Sequence, residues 1–222
     1  MARADKFRQL FEDEEVLYGP LTTHDGAFMV EIVKPSKVRD ASTLLRATYK
    51  AGHPENVKGK AAHHAPPLHI HMKQSETFTV LSGKIGLTHG YDLNDTVVSA
   101  SDEPFVVKPW VPHRPWPVPD CEDDTVILMA ASPEDVPNPM DGRFFRDIFM
   151  YAGDCYAGKA KFDPLQVLLM QHVTDSAPVM FPTATFLGPL RWWLPLKLQA
   201  FAAWVATCMG YSARIEKYDK LN

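Results

Sequence analysis

Within Pro66 to Gly83, PPLHIHMKQSETFTVLSG, two histidines stand one residue apart and a glutamate follows five residues later. In an extended strand the side chains alternate between faces, so His69 and His71 point the same way and their imidazoles converge. Glu76, after a turn-like Lys73 to Ser75, re-enters on that side and adds a hard oxygen donor to two borderline nitrogens. His113, in the downstream segment KPWVPHRPW, is the residue that closes the set. Three neutral imidazoles and a carboxylate suit a divalent first-row metal (Fe, Mn, Zn, Ni or Cu) with positions left open for substrate or dioxygen.

The spacing of His69, His71, Glu76 and Gly83 resembles the first signature of the cupin superfamily, H-x-H, three or four residues, Glu, six residues, Gly. The family's second signature, P-x-G-x-x-H-x-x-x-N, keeps its Pro-His pair here as Pro112-His113. Elsewhere the chain departs from the family: Lys108 stands for its Pro, Trp110 for its Gly, Pro117 for its Asn, and His63 for the glycine that opens the first signature. If position 110 needs positive φ, a tryptophan is strained there where glycine would not be, and the local turn is expected to differ. The resemblance implies a mainly β fold: a single cupin β-barrel (double-stranded β-helix, or jelly roll) with an N-terminal helix and a C-terminal helical extension. It divides the chain into an N-terminal helical arm at 1–26, the barrel at 27–132, and a connector with helical extension at 133–222 that packs on the barrel or on a dimer partner.

The rest of the chain agrees with that plan. FMVEIVK and LLRATYKAG have the branched and aromatic texture of strands, and further strands are expected at Glu76 to Leu81, Lys84 to His89, Thr96 to Ala100, Phe105 to Lys108 and Thr125 to Ala131. Asn94 and Asp95 carry hairpin chemistry. The proline-rich run Pro109 to Pro119 cannot donate a regular ladder and reads as a loop at the barrel rim. Phe7, Leu10 and Phe11 give residues 3–15 one apolar helical edge. Beyond Gly142 the pattern becomes helical, with Asp163-Pro164 as cap and first position of a helix over Leu165 to His172. Leu190 to Tyr211 approaches the length of a membrane span, but Arg191, Pro195, Lys197 and Gln199 interrupt it. Such a helix must bury its apolar surface against the barrel, in a homodimer, or in a peripheral membrane contact.

Around the site, Trp110, Arg114 and Trp116 are expected at the barrel mouth, holding a planar oxygenated ligand together with Lys108. Phe78 and Val80 share the parity of Glu76 and should form an apolar floor. Glu76, His89 and Arg114 are the candidate proton-transfer groups. His63 and His64 are expected to be exposed in a loop rich in Lys, Ala and Pro.

The whole chain has 222 residues, is 45% hydrophobic and 23% charged, and carries a formal charge of −4, with no basic stripe, so a small-molecule substrate is expected rather than a nucleic acid. Three dispersed cysteines argue against a disulfide framework. The N-terminus lacks the apolar run of a secretory signal, so an intracellular, cytoplasmic protein is expected. The resemblance further points to stand-alone cupins of fungal secondary metabolism. Those imply a metal-dependent enzyme acting on a polyketide-like or aromatic molecule, by dioxygenation or oxidative cleavage, or by Lewis-acid isomerisation, cyclisation or decarboxylation. A non-catalytic ligand-binding cupin, and a metal-free enzyme using pocket acids and bases, are the alternatives.

Overall fold

The structure is a computed structural model that describes residues 15–35 and 40–220. The helix expected over residues 3–15 lies almost wholly outside the described residues. Two antiparallel sheets make the barrel: a six-stranded sheet in the order β1-β2-β3-β10-β5-β8 and a five-stranded sheet in the order β11-β4-β9-β6-β7. The strands are β1 Val16–Thr23, β2 Phe28–Val33, β3 Thr43–Tyr49, β4 His69–His71, β5 Ser75–Ser82, β6 Lys84–His89, β7 Asn94–Ser99, β8 Phe105–Val107, β9 His113–Pro117, β10 Thr125–Ser132 and β11 Ser176–Pro178.

Four features differ from the sequence-based expectation. The β structure begins at Val16, inside the stretch assigned to the arm, because Val16–Thr23 pairs with Phe28–Val33 across the short turn at His24–Gly26. Asn94 and Asp95 already belong to β7, opposite His89 and Thr88, and the hairpin turn is made by residues 90–93. The segment expected as a proline-rich loop contains β9, in register with β6 throughout, whose prolines alternate with residues that keep a donor N–H. Finally, Ser176–Pro178 of the C-terminal extension forms an edge strand on β4, pairing with His69–His71.

The main core lies between the sheets, where Val30, Ile32, Leu45, Phe78, Ile85, Leu87 and Ile127 are buried on the alternating inner faces. Gly83, between β5 and β6, has φ +69°, and a Cβ there would lie 2.8 Å from the Thr125 backbone Cα. The left-handed conformation and the overlap each disfavour a side chain, so Gly83→Ala should lower stability by about 2 kcal/mol or more. A chemical-denaturation midpoint indistinguishable from wild type would contradict this.

Three helices follow the barrel: α1 Gly142–Tyr156, α2 Pro164–Val173 and α3 Leu190–Cys208. Asp141 caps α1 by accepting from the Phe144 amide, and Asp163 caps α2 by accepting from Leu165, with Pro164 in the first turn. α1 lays Phe144, Phe145, Ile148 and Phe149 on the open end of the barrel. α3 buries Trp192, Pro195, Gln199, Ala203 and Ala206, and the Gln199 carboxamide donates to the carbonyls of Leu168 and Ser176. Its other face exposes Leu190, Trp193, Leu198, Phe201 and Trp204, the last two at 64% and 62%. Among the described residues no helix is long and apolar enough to cross a membrane.

Candidate metal centre

Four polar residues are buried together where an apolar barrel would otherwise be dry. His69 and His71 come from β4, Glu76 from β5 in the opposite sheet, and His113 opens β9 directly across from His69. Their relative exposures are 8%, 6%, 4% and 1%, and one ligand atom from each lies within 4.8 Å of all the others. The imidazole centroids are separated by 4.4 Å (His69 and His113), 4.8 Å (His69 and His71) and 5.1 Å (His71 and His113).

Hydrogen bonds at the outer nitrogens set the tautomers. His69 Nδ1 donates to the Pro67 carbonyl at 2.8 Å and His113 Nδ1 donates to the Val111 carbonyl at 3.0 Å. A carbonyl can only accept, so in each ring Nε2 is left with its lone pair turned to the cluster. His113 Nε2 nevertheless lies 3.0 Å from Glu76 Oε2, a contact between two electron-rich atoms that is favourable only with a proton or a cation between them. His71 Nε2 is 3.3 Å from Glu76 Oε1 without hydrogen-bond alignment, and both of its ring nitrogens are buried without a partner. Buried unpartnered donors and acceptors are costly, and a divalent cation at the centre would satisfy one nitrogen of His71 and neutralise the repulsion between His113 Nε2 and Glu76. The donor set fits a first-row metal.

The electrostatics favour the ligating forms. Burial, then the neighbouring His113 and His71, holds the His69 imidazole well below the ordinary histidine range, and burial lowers His71 against the pull of Glu76. For Glu76 burial acts to raise the pKa, but His71 and the contact with His113 overcome it and keep the carboxyl well below its usual value.

The site opens into a chamber of about 130 Å³ lined by His69, His71, Glu76, Phe78 and Tyr49, with Phe144, Phe145 and Phe149 of α1 overhead. Next to it lies a cavity of about 500 Å³ between the His24 turn, the loop at 63–67 and α1 and α2. Phe78 is thus where its parity placed it. Tyr49, Gln171 and Ser176 also line the chamber and were not singled out in the sequence, because they come from β3 and from the C-terminal extension, far from either motif. Burial, and then the charge of Glu76, pushes the Tyr49 phenol up, so it stays a neutral hydrogen-bond donor.

The other expected site residues lie elsewhere. β9 is a strand, so His113 and Pro115 face inward while Arg114 and Trp116 face the opposite side of the sheet. There Arg114 donates to the Lys60 carbonyl, and Trp116 lies flat on Gly86, donates to Thr88 Oγ1 and carries Lys60 above its ring. Both brace the 3-10 turn at Asn56–Ala61 against the barrel. Lys108 is exposed and outside either cavity. Trp110 takes φ +69°, the left-handed conformation that glycine adopts without strain. The ring meets Trp193 of α3 at 5.6 Å and its amide donates to the His71 carbonyl, making it a brace for β4 rather than a chamber wall. His89 bonds Thr96 Oγ1 and packs edge-on to Phe105, off the chamber lining.

His63 is exposed as expected, held by Glu55, but His64 is half-buried, stacked on Phe28 and beside His24 and Tyr49. Burial, followed by His24, lowers the His64 pKa to about 4, and burial lowers His24 as well. The unfolded chain, with histidines near 6.5, takes up these protons first, so the metal-free protein should lose stability as pH falls from about 6.5 towards 4. Thermal melts of chelator-treated protein should show the transition falling across that window, and a flat profile there would refute it.

No family model matches the chain. The oxidoreductase macE of Penicillium terrestre is 30% identical over 199 residues, an alignment that covers 86% of this chain and 68% of the relative. With His69, His71, Glu76 and His113 folded into one buried cluster between two sheets, that relationship decides the family. The chain is a cupin, of one family with these fungal proteins. The oxidoreductase iacF of Pestalotiopsis fici is 27% identical to this cupin over 186 residues, covering 83% of this chain and 85% of its own. A Klebsiella pneumoniae protein with a double-stranded β-helix domain superposes remotely, with a TM-score of 0.38 and 15% identity over 61% of this cupin and 86% of that chain.

Proposed function

We propose that this cupin is a metal-dependent oxidoreductase acting on a small oxygenated, polyketide-like or aromatic molecule. The observation that carries the proposal is the buried convergence of His69, His71, His113 and Glu76, one ligand atom of each within 4.8 Å of the others, with the His71 ring nitrogens left unpartnered. The oxidoreductase names of its relatives favour oxidation over isomerisation, cyclisation or decarboxylation. His69, His71, Glu76 and His113 would hold a divalent Fe, Mn, Ni, Cu or Zn ion. Such an ion supplies Lewis acidity and, when redox-active, electron transfer to dioxygen.

The chain's own residues contribute position and dryness. Phe78, Phe144, Phe145 and Phe149 exclude water, which strengthens every charge interaction in the chamber. Tyr49 offers its hydroxyl to a substrate oxygen, and Glu76, the carboxylate at the site, is placed to receive a substrate proton at the oxygen that faces His71. The test is elemental analysis of tag-free protein after growth with each metal. Stoichiometric iron, manganese, nickel or copper supports the oxidoreductase, zinc alone favours acid catalysis, and an empty site overturns the proposal.

A second part of the proposal concerns α3. Its exposed apolar face carries Trp193 and Trp204 beside Lys197, and the helix holds Arg191 and Lys197 but no carboxylate side chain. That complements an anionic lipid surface better than a second copy of the same cationic helix. The protein should co-sediment with phosphatidylserine vesicles, and Phe201→Asp/Trp204→Asp should release it. Salt-independent dimerisation in the absence of vesicles would assign the face to a homodimer instead.

A further inference from the structure

We propose that His64 is a substrate-positioning residue at the junction of the two cavities, where its Nδ1 accepts a hydrogen bond from a hydroxyl on a flat, mostly apolar ligand. This rests on the reading of the barrel as the substrate chamber. The junction is built from Phe28, His64, Pro66, Ile148, Phe149 and Gln171, which line both the 130 Å³ chamber and the 500 Å³ cavity. Everything there is apolar except His64 and Gln171, and each has a buried atom without a partner: His64 Nδ1 and Gln171 Oε1. A pocket of this kind takes an apolar body and orients it by a few polar contacts.

The identity of the free atom follows from its neighbours. The Asn56 carboxamide is fixed because its Nδ2 donates to the carbonyls of Ala27 and Lys50, at 2.9 and 2.8 Å. Asn56 Oδ1 is therefore the atom that faces His64 Nε2, and it can only accept. Nε2 carries the proton and Nδ1 carries the lone pair. Stacking on Phe28 at 5.4 Å, with an interplanar angle of 12°, holds the ring in place. With its pKa lowered by burial and then by His24, the imidazole stays neutral at physiological pH and remains an acceptor. The Gln171 carboxamide, on α2, offers a second polar contact at the same junction. The ligand class is therefore an aromatic or polyketide-like molecule long enough to bridge the cavities, with an O–H at the junction and its reacting end in the metal chamber.

The probes are 2-naphthol and 2-methoxynaphthalene, which differ in the O–H, titrated into full-length protein by calorimetry. Wild type should prefer the naphthol by about tenfold, the worth of one buried hydrogen bond. His64→Leu should abolish the preference, and His64→Asn, which keeps an acceptor oxygen near Nδ1, should retain most of it. Nitrogen NMR of histidine-labelled wild type needs no variant: one Nδ1 resonance should shift with the naphthol and not with the ether. A wild type that binds both equally or neither, an unchanged preference in His64→Leu, or no selective shift overturns the assignment. Metal content is measured on the same samples. A His64→Leu protein with wild-type metal and wild-type preference defeats His64 alone, whereas a wild type that selects the naphthol but holds no metal defeats the metal reading alone.

Discussion

Protein purified without a polyhistidine tag should carry near-stoichiometric transition metal, and the His69→Ala/His71→Ala variant should carry none. The effect is expected to be all-or-none because two of four ligands disappear from one strand, leaving Glu76 and His113 to hold an ion with half the donors. Metal affinity is spent on folding as well, since the ligands come from both sheets and a bound ion ties β4, β5 and β9 together. Removing the ion with a chelator should therefore lower the thermal transition of wild type and leave the double variant unchanged. Lowering the pH should release the ion as protons compete for the imidazoles, although the lowered pKa values of His69 and His71 delay that competition into the acidic range. A double variant that retains wild-type metal would show that the ion sits elsewhere.

Asp147→Ala should lower folding stability by about 3–5 kcal/mol, the usual consequence of removing one member of a buried ion pair. Arg146 and Asp147 lie on α1 at 1% and 0% exposure. Asp147 Oδ1 accepts from Arg146 Nε and Nη2 at 2.9 and 2.7 Å, while Oδ2 accepts the Ile215 amide at 3.0 Å. The same guanidinium sits 4.9 Å from the Tyr18 ring of β1. The pair thus fastens the roof of the chamber to the first strand through Arg146 and to the C-terminal segment through Asp147. Deleting the Asp147 carboxylate leaves a buried cation with Asp219, whose side chain is 46% exposed and better hydrated, as its remaining partner. Asp219→Ala is the control, with a loss several-fold smaller. Urea titrations that give both variants the same midpoint would sink the argument. Because Phe144, Phe145 and Phe149 hang from this helix, Asp147→Ala protein should also admit an apolar dye into the chamber at denaturant concentrations where wild type stays closed.

The clustering of His69, His71, Glu76 and His113 was legible because its information is local. The spacing of His69 and His71 works through strand alternation alone, and Glu76 and Phe78 inherit their inward direction from the same rule one strand later. Helix caps at Asp141 and Asp163 act within a few residues of themselves, which is why α1 and α2 could be anticipated, α2 with its capping pair, and Gly83 is demanded by a turn adjacent to it. Arg114 and Trp116 were misplaced for an equally local reason: the proline content of 109–119 suggested a loop, in which parity has no meaning, whereas pairing with β6 makes it a strand and turns both side chains away from the metal.

What surrounds the ligands was decided only in three dimensions. Ser176–Pro178 is too short to signal a strand, and it becomes one because β4 presents an unpaired edge to it. Tyr49, His64 and Gln171 carry no motif, since a chamber wall needs only the right shape and polarity at a point reached from three distant parts of the chain. His64 looked like an exposed loop residue until Asn56, Phe28 and α1 closed around it. The sequence alone determined the clustered histidine and glutamate donors and the barrel that carries them, because both follow from short-range periodicity and spacing. The tertiary structure determined the chamber, its roof and its polar junction, because burial is a property of what packs from afar and no local pattern encodes it.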